Sequence, residues 1–201
     1  YTVTGIDEYA FRQCSNLTSI DLSGTQVETI GWQAFSLCSS LETIIIPNSL
    51  TFINRYAFYN CTSLTSIDLS GTQVTSIGSD MCIRCTSLTS ITIPDSVTTI
   101  GQNAFYYCTS LTSIIIPDSV TTIGSNAFLN CSGLTSVTLP TNPLFTSIVS
   151  GAFYKCSSLT SIDLGNSVTT IGSNAFSQCT SLTSIDIPDS VTTIDSNAFY
   201  G

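Results

Sequence analysis

The sequence predicts an α/β repeat solenoid, a stack of similar coils with a parallel β-sheet along one side. The first observation is a period, because one isoleucine recurs at steps of 23 to 25 residues along the 201-residue chain. Self-similarity at such a period is typical of solenoid proteins. We expect eight full units and a partial ninth in a single solenoid domain, residues 1–201. The isoleucines that set the phase are Ile6, Ile30, Ile53, Ile77, Ile100, Ile123, Ile148, Ile171 and Ile194.

The second observation is the pattern inside each unit, Leu-x-x-Ile-x-Ile-Pro-x-x-Val-x-x-Ile-Gly-x-x-Ala-Phe-x-x-Cys. In the unit that starts at Leu111, the alternation over residues 113–116 predicts a β-strand. Pro117 ends this strand because proline cannot donate to a ladder. Residues 120–123 predict a second, short extended stretch. Residues 125–128, Ser-Asn-Ala-Phe, predict a short helical turn on the outer side.

Stacking of the units is the third expectation. The apolar side chains of one unit are too few to offset the conformational entropy of ordering it, so each unit needs neighbours on both sides. The longer units carry their extra residues in the loop after the first strand, so the core positions keep their register. These longer loops are residues 22–27, 69–74 and 139–145.

Composition excludes several classes of function. Four Lys and Arg against 13 Asp and Glu give a net charge of −9, which argues against nucleic-acid binding. Histidine is absent, and no nucleophile–base pair, phosphate loop or metal set can be assembled, so we expect neither an enzyme nor a cofactor. No apolar run approaches the length of a membrane span, so no membrane insertion is expected. Because the chain begins at Tyr1 without a signal-peptide pattern, we interpret it as a mature or trimmed segment.

The repeated pattern resembles the BspA-like, or Treponema pallidum-type, leucine-rich repeats over essentially the whole chain. The resemblance implies a right-handed, curved horseshoe whose parallel sheet lines the concave face, with short strands and helical turns on the convex side. It also implies an extracellular or cell-surface protein that adheres to host, matrix or neighbouring-cell proteins. The largest departure from the pattern is in one unit, where Met81 and Cys82 replace Ala and Phe; elsewhere Ser23, Ser70 or Gly165 replaces the proline.

Eight of the nine cysteines share one register in the repeat. We interpret them as a structural column of buried thiols, with disulfides between neighbouring units as the alternative. Cys82 creates a Cys-x-x-Cys pattern; we expect it to fill a Phe position, and the second choice is a local disulfide. The column comprises Cys14, Cys38, Cys61, Cys85, Cys108, Cys131, Cys156 and Cys179.

Outward positions of the first strand form the candidate binding surface. They combine hydroxyl columns, four aspartates and two exposed isoleucines, and the isoleucines suggest a contact surface. We expect the aspartates to be solvated surface acids, with a divalent-cation site as the alternative, and an ice-binding array is the weakest alternative. The candidate residues are Ser19, Asp21, Thr43, Ile45, Ser66, Asp68, Ser90, Thr92, Ser113, Ile115, Ser136, Thr138, Ser161, Asp163, Ser184 and Asp186.

Attached glycans are left open as an alternative to sequons that arise from the repeat pattern alone. Asn16, Asn60 and Asn130 each begin an Asn-x-Ser/Thr sequon. The repeat supplies Ser or Thr after every column cysteine, so two of these sequons also follow from an Asn that precedes a cysteine.

Two functional hypotheses follow. The first is a protein-interaction or adhesion module that presents a hydroxyl-rich β-face to a protein partner. The second is a structural subunit that stacks head to tail with itself into a fibre or surface layer, because neither end carries a polar cap.

Overall fold

The computed structural model describes residues 2–201 and shows a solenoid of parallel strands. Two strands arise in most units because β-branched residues recur at two places in the repeat. The second strand of each unit ends on the phase isoleucine. These second strands are β1 (Gly5–Ile6), β3 (Thr29–Ile30), β5 (Phe52–Ile53), β7 (Ser76–Ile77), β9 (Thr99–Ile100), β11 (Thr122–Ile123), β13 (Ser147–Ile148), β14 (Thr170–Ile171) and β15 (Thr193–Ile194).

First strands, which carry the candidate binding residues, occur in six units. They are β2 (Ser19–Asp21), β4 (Thr43–Ile45), β6 (Ser66–Asp68), β8 (Ser90–Thr92), β10 (Ser113–Ile115) and β12 (Ser136–Thr138). Their central residues are inward and mostly buried, whereas the flanking residues are exposed. The alternation predicted from the sequence is therefore present.

Strand pairing is parallel, but the ladders are interrupted. The first strands bond in pairs, β2 with β4, β6 with β8 and β10 with β12. The second strands form three sheets of three, and Ile100 lies opposite both Ile77 and Ile123. The two breaks between these sheets fall at steps of 24 and 25 residues, after Ile53 and Ile123. Two of the three longer loops thus accompany a break between ladders, whereas β1 and β3 stay paired across the 22–27 loop.

The last two units differ from the expectation. Residues 161–163 and 184–186 are not strands, so the prediction of strand positions for Ser161, Asp163, Ser184 and Asp186 is wrong. In the last unit the inward residues are also less well covered, since Leu182 and Ile185 are only partly buried.

The outer segment is also different from the prediction, because it forms β-turns and no helix occurs among residues 2–201. Asn126 and Asn130 have φ of +59° and +58°, in the left-handed region. The N–H of Leu129 donates to Asn126 O at 3.0 Å, whereas the N–H of Phe128 donates to Ala152 O in the next unit at 2.9 Å. Local turns alternate with bonds between units, which a helix cannot provide. The Ser-Asn-Ala-Phe sequence therefore reflects the tolerance of Asn for positive φ rather than a helix cap.

A single apolar cluster runs through the stack from Ile6 to Ala198. Its most regular part is a column of phenylalanine rings. Phe105, Phe128 and Phe153 stack with centroids 5.3 and 5.4 Å apart and nearly parallel planes. The column is interrupted at Cys82, where Met81 and Cys82 are both fully buried.

Candidate interaction surface

The strand face is defined here as the sixteen outward residues predicted above. All sixteen side chains are exposed, including those in the two units without a first strand. Ile45 and Ile115 are 51% and 70% exposed, which is unusual for isoleucine in a position flanked by buried neighbours. A groove of about 320 Å³ beside Ile45 reaches Asp68 of the next unit. The strand face is thus an open surface with two exposed isoleucine side chains and a groove beside one of them.

Three of the four strand-face aspartates accept hydrogen bonds from the loops that follow them. Asp21 accepts a hydrogen bond from the Ser23 N–H at 2.8 Å, and Asp163 accepts one from the Gly165 N–H at 2.8 Å. Hydrogen bonds from the side chain and backbone of Ser23 lower the pKa of Asp21. Asp68 has the same arrangement, and hydrogen bonds from the Ser70 backbone and side chain lower its pKa. Since bonding to the ionised form favours it, Asp21 and Asp68 are carboxylates near neutral pH.

The divalent-cation alternative finds no support in the geometry. Among residues 2–201, no group of three or more carboxylate or thiol side chains is placed to hold a metal ion. Asp163 and Asp186, which the sequence places in adjacent units, lie outside any strand ladder.

Many hydroxyls beside the strand face are committed to the stack. The Thr65 hydroxyl donates to Glu42 O at 3.1 Å, and the Thr89 hydroxyl donates to Thr65 O at 3.0 Å. A second column does the same after the first strand, where the Ser119 hydroxyl donates to Val97 O at 2.6 Å. These bonds join each unit to the preceding one. These bonds explain part of the high Ser and Thr content. The polar side chains that remain available to a partner are those of the strand face.

The cysteine column lies beside the phenylalanine rings. Seven of its eight members are buried, and Cys14 in the first unit is exposed. The Cys131 thiol donates to Phe105 O at 3.1 Å, and the Cys61 thiol donates to Phe35 O at 3.0 Å. Each buried thiol thus bonds to the preceding unit. Burial raises the pKa of Cys131 to about 12, so the thiolate that would attack a disulfide is suppressed.

Cys82 occupies the phenylalanine position and is fully buried, as are Cys85 and Met81. Its carbonyl accepts a bond from the Cys108 thiol at 3.1 Å, as a phenylalanine carbonyl does elsewhere. Burial raises the pKa of the Cys82 thiol well above its ordinary value. The side chain therefore has the surroundings of a core residue rather than those of a redox site.

The three sequons have different surroundings. Asn16 is exposed in the first unit. Asn60 and Asn130 are half-buried and have positive φ within the β-turns, each preceding a buried cysteine. Of the three, Asn16 is the most accessible for modification.

Sequence reasoning missed the opposite side of the stack. We define the turn face as the outward side chains of the segments after the phase isoleucines, which are residues 7–13, 31–37, 54–60, 78–84, 101–107, 124–130, 149–155, 172–178 and 195–201. All four Lys and Arg residues lie in these segments, as do every tyrosine of residues 2–201 and the single tryptophan. The sequence did contain a signal for this surface, because Lys, Arg, Tyr and Trp are rare in the chain and cluster in one part of the repeat.

Cations and rings are paired on the turn face. The four pairs have separations of 5.2 to 5.8 Å from cation to ring centroid and comprise Arg12 with Tyr9, Arg55 with Tyr56, Arg84 with Tyr107, and Lys155 with Tyr154. Such separations allow attraction between a cation and the ring face. A groove of about 470 Å³ near the end of this face is lined in part by Lys155, Gln178 and Tyr200.

One buried carboxylate links three units on the turn face. Asp80 accepts a hydrogen bond from Arg55 at 2.8 Å and another from the Asn103 side chain at 2.9 Å. Arg55–Asp80 is the one ion pair within residues 2–201. Asp80 belongs to the irregular unit that contains Met81 and Cys82.

Among residues 2–201, no helix is long and apolar enough to cross a membrane.

Comparisons with known proteins agree with this architecture. The family model described as BspA type leucine rich repeat region matches residues 1–112 and 98–201, with six copies of the repeat. The solved structure of a T. pallidum leucine-rich repeat protein is similar at 31% identity, covering 90% of this chain and 72% of that chain, with a TM-score of 0.59. No curated protein matches the chain significantly.

Two further solved structures show the same fold. The pneumococcal vaccine antigen PcpA is 24% identical, with 100% of this chain and 60% of that chain covered and a TM-score of 0.64. A leucine-rich repeat protein from Eubacterium ventriosum is 22% identical, with 98% and 80% covered and a TM-score of 0.53. The continuous family match, the parallel solenoid and the shared register lead to one conclusion: the chain belongs to the BspA-type leucine-rich repeat family.

Proposed function

We propose that residues 1–201 form a single non-catalytic binding domain, at the cell surface or outside the cell, that uses the strand face to bind a protein of a host, a matrix or a neighbouring cell. The observation that carries the proposal is the exposure of all sixteen strand-face side chains. The family resemblance supports the extracellular setting and a right-handed curvature that would make the strand face concave.

Chemically, the strand face suits a broad protein contact. Ile45 and Ile115 supply apolar points on separate strands, and exposed hydroxyls and carboxylates surround them. Asp68 and Thr92 lie on the strands between them, so the isoleucines are two apolar anchors within a polar surface. Asp21, Asp68 and Asp163 already accept bonds from their own loops, so they are fixed in place before a partner arrives.

A matched pair of substitutions tests this proposal. Ile115 and Leu144 are both 70% exposed, but Leu144 lies in the 139–145 loop, away from the first strands. We expect Ile115→Asp to weaken binding to members of an immobilised array of extracellular-matrix proteins at least ten-fold, and Leu144→Asp to leave it unchanged. Equal effects of the two substitutions, or no binding of the wild-type chain to any member, would contradict the proposal.

The second candidate is self-association at the end of the stack. In the last unit Ile194 and Phe199 are 50% and 38% exposed, whereas the equivalent Ile171 and Phe176 are buried. A second copy stacked on this end would cover these residues and continue the ring column, as would a further repeat unit of the same chain. Concentration-dependent growth in sedimentation, abolished by Phe199→Asp, is the expected result. A constant monomer mass over the same concentration range would exclude it.

A further inference from the structure

The charges of the chain are divided between its two sides. All four cations are on the turn face, together with four of the 13 acids, so the turn face is neutral overall. The remaining nine acids lie in the strands and loops, where no cation is present. The whole net charge of −9 therefore belongs to the strand and loop sides. This division is a property of the tertiary structure, because the turn segments alternate with the acidic segments along the chain.

Three of the four cations have no carboxylate partner. Arg55 is paired with Asp80, but Arg12, Arg84 and Lys155 take part in no ion pair within residues 2–201. Each of the three lies over a tyrosine ring, for example Arg84 over Tyr107 at 5.8 Å and Lys155 over Tyr154 at 5.2 Å. A ring on one side orients the cation and leaves its other side open to an incoming group. The turn face thus presents three oriented donors that no carboxylate of residues 2–201 contacts.

Residue types on the turn face match those that dominate protein recognition. Tyrosine, tryptophan and arginine are the residues enriched at the energetic centres of protein interfaces. Asparagine, serine and glycine, which fill most other turn-face positions, accompany tyrosine in antibody binding loops. The backbone that carries these rings is held in a ladder of hydrogen bonds, so little backbone entropy is lost when a partner binds.

We propose that the turn face is a second protein-binding surface, for a partner that presents clustered Asp and Glu side chains. Such a partner is repelled by the acidic strand and loop sides, so it docks in one orientation only. Ionic screening at physiological salt limits the long-range repulsion, whereas contact pairs with Arg12, Arg84 and Lys155 remain. This surface does not depend on the strand face, because different variants test the two proposals.

The test uses a random dodecapeptide library displayed on phage and selected on the immobilised chain at 0.15 M salt. The turn variant combines Arg12→Gln, Arg84→Gln and Lys155→Gln. The control variant combines Gln26→Glu, Asn48→Asp and Gln73→Glu at exposed loop positions outside both faces, which lowers the net charge by the same three units. Circular dichroism establishes that both variants fold.

The expected result is a selected pool enriched in Asp and Glu that binds the turn variant at least ten-fold more weakly than wild type. Binding to the control variant should change less than three-fold. A pool without acidic enrichment, or equal losses in both variants, would overturn the proposal. Hyaluronate serves as a second probe: if this uronic-acid polysaccharide binds the turn face and the acidic peptides do not, the partner is not a protein and the proposal fails.

Discussion

On the turn side, N–H groups of each unit donate to carbonyls of the next unit at intervals of two residues, and this ladder continues through all nine units. On the strand side, the ladders of first strands are limited to pairs, with single bonds such as Thr65 N–H to Glu42 O between them, and first strands are absent from the last two units. Rings and thiols pack under the turn side, whereas isoleucines pack under the strand side. Bonding between units is therefore most continuous on the turn side. Outward strand positions are therefore free to vary for binding.

Removal of a ring from the turn side gives the largest expected effect. Phe128→Ala deletes stacking with Phe105 and Phe153 and leaves a cavity in a fully buried column. We expect a loss of about 3–5 kcal/mol in the free energy of unfolding, measured by urea titration. Ile115→Ala on the strand face is the control and should change stability by less than about 0.5 kcal/mol. Similar losses for the two variants would refute the contrast between the sides.

Restoring the regular pattern in the irregular unit should be harmful when only one residue is changed. Cys82→Phe inserts a ring where Met81 already fills the space, so overpacking should cost about 1–3 kcal/mol. The double variant Met81→Ala with Cys82→Phe should recover most of that loss, because it recreates the Ala-Phe pair of other units. Thermal unfolding of the single and double variants makes the comparison. A stabilising single substitution would show that the unit contains unfilled space.

Positive φ on the turn side gives a smaller effect. Asn126→Ala places a β-carbon in a left-handed conformation and should cost about 1–2 kcal/mol. Asn126→Gly should be close to neutral, since glycine adopts this conformation without strain. Ser136→Ala on the strand face is the matched control with ordinary backbone. If alanine and glycine at position 126 unfold at the same urea concentration, backbone conformation is not what selects Asn here.

The smallest effect concerns pH. Burial raises the pKa of Cys131 from 9.0 to about 12, so the native state holds this proton more tightly than the unfolded state. The stabilisation is complete below pH 9 and decreases as the pH rises toward 12. Between pH 8 and pH 9.5 the free energy of unfolding should fall by about 1 kcal/mol for this thiol. Urea unfolding of wild type and Cys131→Ala at several pH values measures this contribution. The same dependence of the free energy of unfolding on pH in both proteins would contradict it.

The sequence predicted the positions of some residues correctly and the conformation of others incorrectly. The phase isoleucines were predicted to align, and Ile77, Ile100 and Ile123 lie opposite one another in one sheet. The strand-face residues were predicted to point outward, and all are exposed. The outer segment was predicted as a helical turn and is a β-turn ladder. A four-residue polar segment with Asn fits both conformations, and only bonds to the next unit select between them.

The sequence by itself determined the period, the inward and outward alternation and the family, because these depend on spacing along the chain. Tertiary structure decided which backbone groups bond between units, where the ladders break and which thiols are buried. It also decided that all cations share one side, since side-by-side stacking brings together residues about 23 positions apart in the sequence. Interactions between coils depend on distances in space, and these distances arise only when the stack forms.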